Sequence, residues 1–178
     1  MVFSTKKGAI MKASEFIGMK VLDKGAHEIG EVAEIALRLK TCLVDKIFIS
    51  TGGALNKKYF SVNGEDISAI GDYVQLKLSQ EGIEQQVHLD KLKDFLPKDF
   101  HFKDLVGKAV LTIKGQEIGR VNDMLIDPEG CLIHNMIIST GSAFSKKNLV
   151  ISDGDINAIG DYVILNLTKE KVEEMMKD

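Results

Sequence analysis

The sequence predicts a mainly β protein: two tandem small β-barrels of five or six strands each, followed by a short C-terminal helix. Three observations predict it. The chain repeats: shifted by 89 residues, positions 16–79 fall on 105–168 without a gap, and 26 of those 64 pairs are identical. Each copy is a series of short apolar runs broken by Gly, Asp, Asn and Lys, with no apolar periodicity long enough for a helix of about 10 residues. Two repeats are too few for a solenoid, which needs about three stacked units, so a duplicated domain is the better reading.

The expected divisions are a leader at 1–13, repeat one at 14–79, a linker at 80–102, repeat two at 103–168 and a helix at 169–178. The leader carries Lys6, Lys7 and Lys12 but no apolar stretch. It therefore does not read as a secretory signal. It is either a disordered extension or marks Met11 as the start. In each repeat the first strand is Gly18–Asp23 or Gly107–Thr112. The stretch from Ile29 to Leu39 is ambiguous between helix and strand. Its counterpart resolves it, because Asp127-Pro-Glu-Gly130 suits a type I turn after a strand. The alternation breaks at Ala33-Glu34 and Asn122-Asp123, which predicts a bulge. The third strands are Leu43–Ser50 and Leu132–Ser139. The fourth are Tyr59–Val62 and Asn148–Ile151. A compact turn, Asn63–Ile67 or Ser152–Ile156, precedes the closing strands Tyr73–Leu78 and Tyr162–Leu167. In the linker, Asp90–Leu96 can form one or two helical turns that stop before Pro97. In the tail, Thr168 can cap a helix with Val172, Met175 and Met176 along one side.

Composition is that of an ordinary globular chain: 178 residues, 44% apolar, 28% charged, net charge −3. There is no global basic field to draw in nucleic acid or acidic lipid. No run approaches the 18 or so apolar residues of a membrane-spanning helix, so direct membrane insertion is not expected. A module of about 65–75 residues buries only about 60% of its unfolded surface and is marginal alone. The two copies are therefore expected to pack on each other about a pseudo-two-fold axis, as an intrachain pseudo-dimer. Third-strand positions such as Ile47, Ile49, Met136 and Ile138 are the expected contact. Further homo-oligomerisation is compatible with the sequence. Cys42 and Cys131 are repeat equivalents and read as buried strand thiols of a reducing, cytoplasmic compartment, with an inter-module disulfide or reactive thiols as the alternative.

No motif carries a catalytic set. His27, His88, His101 and His134 share no ligand spacing, so neither a metal nor another cofactor is expected. Asp66, Asp72, Asp155 and Asp161 come from turns, and Asp72 is expected to hold its turn through backbone N–H groups. Gly52–Lys58 superficially resembles a phosphate loop, but it lacks the Gly-Lys-Ser/Thr end and leads into a strand. Its double lysine, Lys57-Lys58, recurs as Lys146-Lys147. One reading is a solvated loop whose lysines guard a sheet edge. The other makes Lys57, Lys58, Lys146 and Lys147 contacts for an acidic partner or an RNA backbone. Met175 and Met176 join them as candidate partner contacts.

The order Gly-x-x-Val-Leu, Glu-Ile-Gly-x-Val, an apolar third strand, then Asp-Ile-x-Ala-Ile-Gly-Asp-Tyr-Val-x-Leu resembles a PRC-barrel domain. This is the family of the photosynthetic reaction-centre H subunit and the C-terminal domain of the ribosome maturation factor RimM. The resemblance covers nearly all of 14–79 and 103–168, and its most specific part is Ile-x-Ala-Ile-Gly-Asp-Tyr-Val-x-Leu. It implies a barrel that binds other macromolecules and has no shared catalytic centre. A tandem pair is similar to archaeal members, some of which are cell-division scaffolds. The expected function is thus a non-enzymatic adaptor or scaffold for a protein partner. The alternative is a ribosome-maturation or rRNA-processing accessory. A small-molecule or metal-binding protein is the third reading.

Overall fold

The computed structural model describes residues 9–95, 101–141 and 147–177. It is mainly β, and each repeat supplies six strands. In repeat one they are β2 (Lys20–Leu22), β3 (Glu28–Arg38), β4 (Leu43–Thr51), β5 (Lys58–Val62), β6 (Ile67–Ile70) and β7 (Val74–Leu76). In repeat two they are β8 (Ala109–Leu111), β9 (Glu117–Asp127), β10 (Leu132–Thr140), β11 (Asn148–Ile151), β12 (Ile156–Ile159) and β13 (Val163–Leu165). A further strand, β1 (Met11–Lys12), precedes them. Within a repeat the order is β6-β7-β2-β3-β4-β5, and repeat two follows the same order. The first and last strands run parallel, Val21 beside Val74 and Val110 beside Val163.

The expected bulges are present. Glu34 pairs with Phe48 and Val32 with Ile49, so Ala33 is the extra residue. Asn122 is skipped in the same way between Val121 and Asp123. The two Glu-Ile-Gly glycines lie where the third strand crosses closest. A Cβ on Gly30 would overlap the Ser50 carbonyl oxygen, and one on Gly119 that of Ser139. Close backbone approach, more than turn geometry, demands glycine at these two positions.

Among the described residues four short α-helices accompany the strands: α1 (Ala13–Phe16), α2 (Gln80–Glu84), α3 (Phe102–Leu105) and α4 (Lys169–Met175). The Ser79 hydroxyl accepts the Gly82 N–H at the start of α2, and the Thr168 hydroxyl accepts the Lys171 N–H at the start of α4. Ile83 and Val172 are the buried residues of these two helices.

Contacts between the repeats come in pairs that exchange under the 89-residue shift. β4 meets β10 at Leu43 and Leu132. There the Val44 N–H donates to the Cys131 carbonyl at 3.0 Å, and the Ile133 N–H to the Cys42 carbonyl at 2.9 Å. Lys12 pairs with Leu125 across the repeats, and His101 with Ala36. The segment before each barrel thus extends the sheet of the other. Buried side chains from both repeats form one continuous core.

Three expectations are corrected by the structure. Residues 11–13 of the leader are structured, as β1 and the start of α1. In the linker, Leu92–Asp94 forms one helical turn of 3-10 type within the stretch where one or two were expected. Cys42 and Cys131 are half-buried turn residues, not strand residues, and take left-handed conformations with φ of 55° and 57°. Ile47, Ile49, Met136 and Ile138 are buried in the shared core, and the third strands pair across the repeats at Leu43 and Leu132 instead. The alternate residue Phe48 faces outward instead, under Phe95 and His101 at ring distances of 5.0 and 5.6 Å. β4 has its own irregularity at Asp45, skipped between the Lys46 and Val44 pairings, so alternation read from Leu43 does not carry through to Ile47.

Candidate binding site

The two β-hairpins at the junction, β3–β4 and β9–β10, occupy equivalent places but differ in sequence. Arg38-Leu39-Lys40-Thr41 of the first becomes Asp127-Pro128-Glu129-Gly130 in the second. The second turn is closed by the Asp127 carboxylate, which accepts the Gly130 N–H at 2.9 Å. It tucks against Gly64, the first residue of a 3-10 turn in repeat one. A Cβ on Gly64 would overlap the Pro128 carbonyl oxygen and crowd the Cys131 sulfur. The equivalent of Gly64 is Asp153, which carries a side chain. The same close contact is therefore denied to the first hairpin. Asp127 and Pro128 are buried, whereas Arg38, Lys40 and Thr41 are exposed.

A cleft of about 640 Å³ opens there, between the Arg38–Thr41 turn and β12. Leu39, Ile156, Ala158 and Ile159 make it apolar, while Arg38 and Lys40 make its hairpin side basic. Arg38 is bonded to Asp45 at 2.9 Å. Lys40 has no ion-pair partner among the described residues. Asp153 and Asn157 are the polar groups opposite. Beneath the cleft the Cys42 thiol faces a small cavity lined by Met124, Ile133 and Asp153. Burial, and secondarily Asp153, pushes its pKa up to about 11. The thiol is protonated at neutral pH and is a poor nucleophile or metal ligand.

The remaining polar clusters serve the fold. The buried Asp23 accepts the Gly25 N–H at 2.8 Å and the His27 N–H at 2.9 Å, with the His27 ring at 3.1 Å. The His27 backbone bond is the main cause holding its carboxyl below the usual range. Repeat two closes the same turn with Thr112, whose hydroxyl accepts the Gln116 N–H at 3.1 Å. A histidine is thus dispensable to the device. Asp66 and Asp155, rather than Asp72, fix the 3-10 turns by accepting the N–H groups of Asn63 and Ser152. Gly71 N–H donates to Tyr73 carbonyl at the turn where Asp72 lies. Among the described residues no three His, Cys, Asp or Glu side chains converge to hold a metal ion. No helix among them is long and apolar enough to cross a membrane.

The lysines and methionines singled out from the sequence do not form one site. Lys57 lies on a shallow separate depression with Lys20 and Glu28. Lys58 is paired with Asp90 of the linker at 3.0 Å. Lys147 is exposed, and its carbonyl accepts the Thr140 N–H at 3.0 Å. Lys146 lies outside the described residues. Met175 and Met176 are half-buried against the core. The cleft was not among the sequence candidates. Its signal was present in the alignment of the copies, as the charge reversal from Arg38/Lys40 to Asp127/Glu129 and the change from Gly64 to Asp153.

A PRC-barrel domain model matches residues 9–83 and again 97–172. The chain belongs to the PRC-barrel family. Both matches begin before the first barrel strand of their repeat and take in the arm that joins the other barrel. This PRC-barrel chain is also 28% identical, over 102 residues, to a protein of Deinococcus radiodurans described only as an uncharacterized protein. The match covers 56% of this chain and 34% of that relative, so the chain spans about a third of the relative's length.

Proposed function

We propose that this PRC-barrel chain is a non-enzymatic adaptor that binds a protein partner in the cleft between Arg38–Thr41 and β12. The observation that carries the reading is the asymmetry of the junction. One hairpin is packed down on Gly64, while the cleft opens between its equivalent and β12. A duplicated scaffold whose two junction hairpins differ can engage one partner in one orientation. The apolar lining suits an aliphatic or aromatic anchor, and Lys40 suits a carboxylate beside it. The macromolecule-binding role that the family resemblance implies supports an adaptor role of this kind.

Pull-down from a native lysate tests it, with the unaltered chain beside Lys40→Glu and Ala158→Arg. A defined protein should co-purify with the unaltered chain and be lost from both variants. Recovery of rRNA or pre-ribosomal particles alone would move the chain to ribosome maturation. A metabolite or metal carried through purification would favour a small-molecule role.

A further inference from the structure

The two repeats differ at a second place, the outer edge of the fourth strand. In repeat one that edge is covered. Linker residue Leu89 lies antiparallel to Tyr59, with the Tyr59 N–H donating to Leu89 at 2.8 Å and the Leu89 N–H returning at 2.9 Å. The flanking residues add side-chain contacts. Asp90 pairs with Lys58 at 3.0 Å, and the His88 ring lies 5.3 Å from that of the buried Phe60. Repeat two keeps the receiving groups: Asn148 stands for Tyr59, Lys147 for Lys58 and Leu149 for Phe60. Among the described residues, β11 pairs only with β10. By the register of β5, the N–H and C=O of Asn148 and Val150 point away from β10. Val150 is 48% exposed, where its equivalent is the polar Ser61. An open edge with an exposed aliphatic residue is a template for strand addition.

We infer that β11 binds an extended segment of a partner protein by strand addition, in the way β5 holds the chain's own His88–Asp90. The segment it fits has an apolar residue opposite Asn148 followed by an acidic residue that pairs with Lys147. The occupant's chemistry is read from Leu89 and Asp90, which fill the equivalent edge. This surface is distinct from the cleft and does not depend on the cleft being a binding site.

The probe is a fluorescent peptide of the chain's own Gln85–Leu92, titrated into the full chain. Binding is followed by anisotropy and by backbone amide resonances. The expected result is saturable binding with shifts centred on Asn148–Ile151. Val150→Pro removes one outward N–H and, by the register of β5, leaves the bonds to β10 in place. It should weaken binding about tenfold or more, as loss of an edge hydrogen bond and strand geometry implies. Lys147→Glu should weaken it and remove the loss of affinity with salt, because salt then screens a repulsion instead of an attraction. Val150→Lys serves if the proline variant is unfolded. Absence of binding at millimolar peptide overturns the inference. So does binding that ignores these variants, or shifts centred on Tyr59, which would mean exchange with the linker. Concentration-dependent dimers abolished by Val150→Lys would assign the edge to a second copy and overturn it equally. Partner loss from the cleft variants leaves all these readouts unchanged.

Discussion

Lys103 donates its backbone N–H to the Glu34 carboxylate at 3.2 Å, across the boundary between the repeats. The 89-residue shift turns this bond into Ser14 N–H to Asp123, at 3.1 Å. Each carboxylate also takes the N–H of the next residue in its own strand, Ile35 or Met124, at 2.8 Å. Neither α1 nor α3 is capped by its own N-cap side chain. The acceptor each lacks comes from a buried residue beside the bulge of the other repeat. The Ser14 hydroxyl adds a further bond to Asp123.

Removing either cap should loosen the exchange of arms. Glu34→Ala and Asp123→Ala are each expected to lower stability by about 1 kcal/mol, as loss of a helix cap does. Denaturant unfolding of the full chain measures this. No change in midpoint for either variant would make the arms independent of these carboxylates.

Glu34 also has a pH signature. Burial is the main cause raising its pKa above the ordinary 4.5, against the bonds from Ile35 and Lys103. The fold therefore holds its proton more tightly than the unfolded chain does. Its contribution is fully present below 4.5 and is lost as pH rises through the folded value. Glu34→Gln should flatten the stability profile in that window. An unaltered profile would show that Glu34 titrates as a solvated acid.

His101 behaves in the opposite sense. It is buried beside Phe48, and its Nε2 has no hydrogen-bond partner. Burial lowers its pKa from 6.5, although Asp104 at 3.9 Å opposes the shift. Its contribution is present above 6.5 and is lost as pH falls through the folded value. The unaltered chain should therefore lose more melting temperature between pH 7.5 and 5 than His101→Phe. Equal losses would count against a buried neutral imidazole.

Gly119→Val should cost roughly 1–3 kcal/mol, because the added side chain meets the backbone of β10 rather than a movable side chain. A thermal melt decides it. An unchanged midpoint would mean that the strands separate there without penalty.

Asp153→Asn should lower the Cys42 pKa from about 11, since the Asp153 carboxylate adds to the effect of burial. The measurement is the alkylation rate against pH in a Cys131→Ser background. A midpoint near 8.5, that of a free thiol, in the parent would show that Cys42 is not shielded at all.

Local chemistry made the double barrel legible. The 89-residue shift, the alternation of Met124 and Ile126 and the Asp127-Pro-Glu-Gly turn need no knowledge of distant contacts. The bulges at Ala33 and Asn122 were visible because both copies carried the same break in alternation. The strand Ile67–Ile70 falls between the expected turn Asn63–Ile67 and the closing strand and was not foreseen, because four residues show too little alternation. α1 and α3 were unreadable for a stronger reason: four residues cannot sustain a helix alone, and their caps lie 109 and 69 positions away. The inward face of β4, which buries Ile47 and Ile49 and turns Phe48 out, could not be assigned from a pattern interrupted by a bulge. The cleft depends on whether a turn can approach position 64 or 153 of the opposite repeat. A single Cβ decides that approach, and only close packing between segments remote in sequence reveals it.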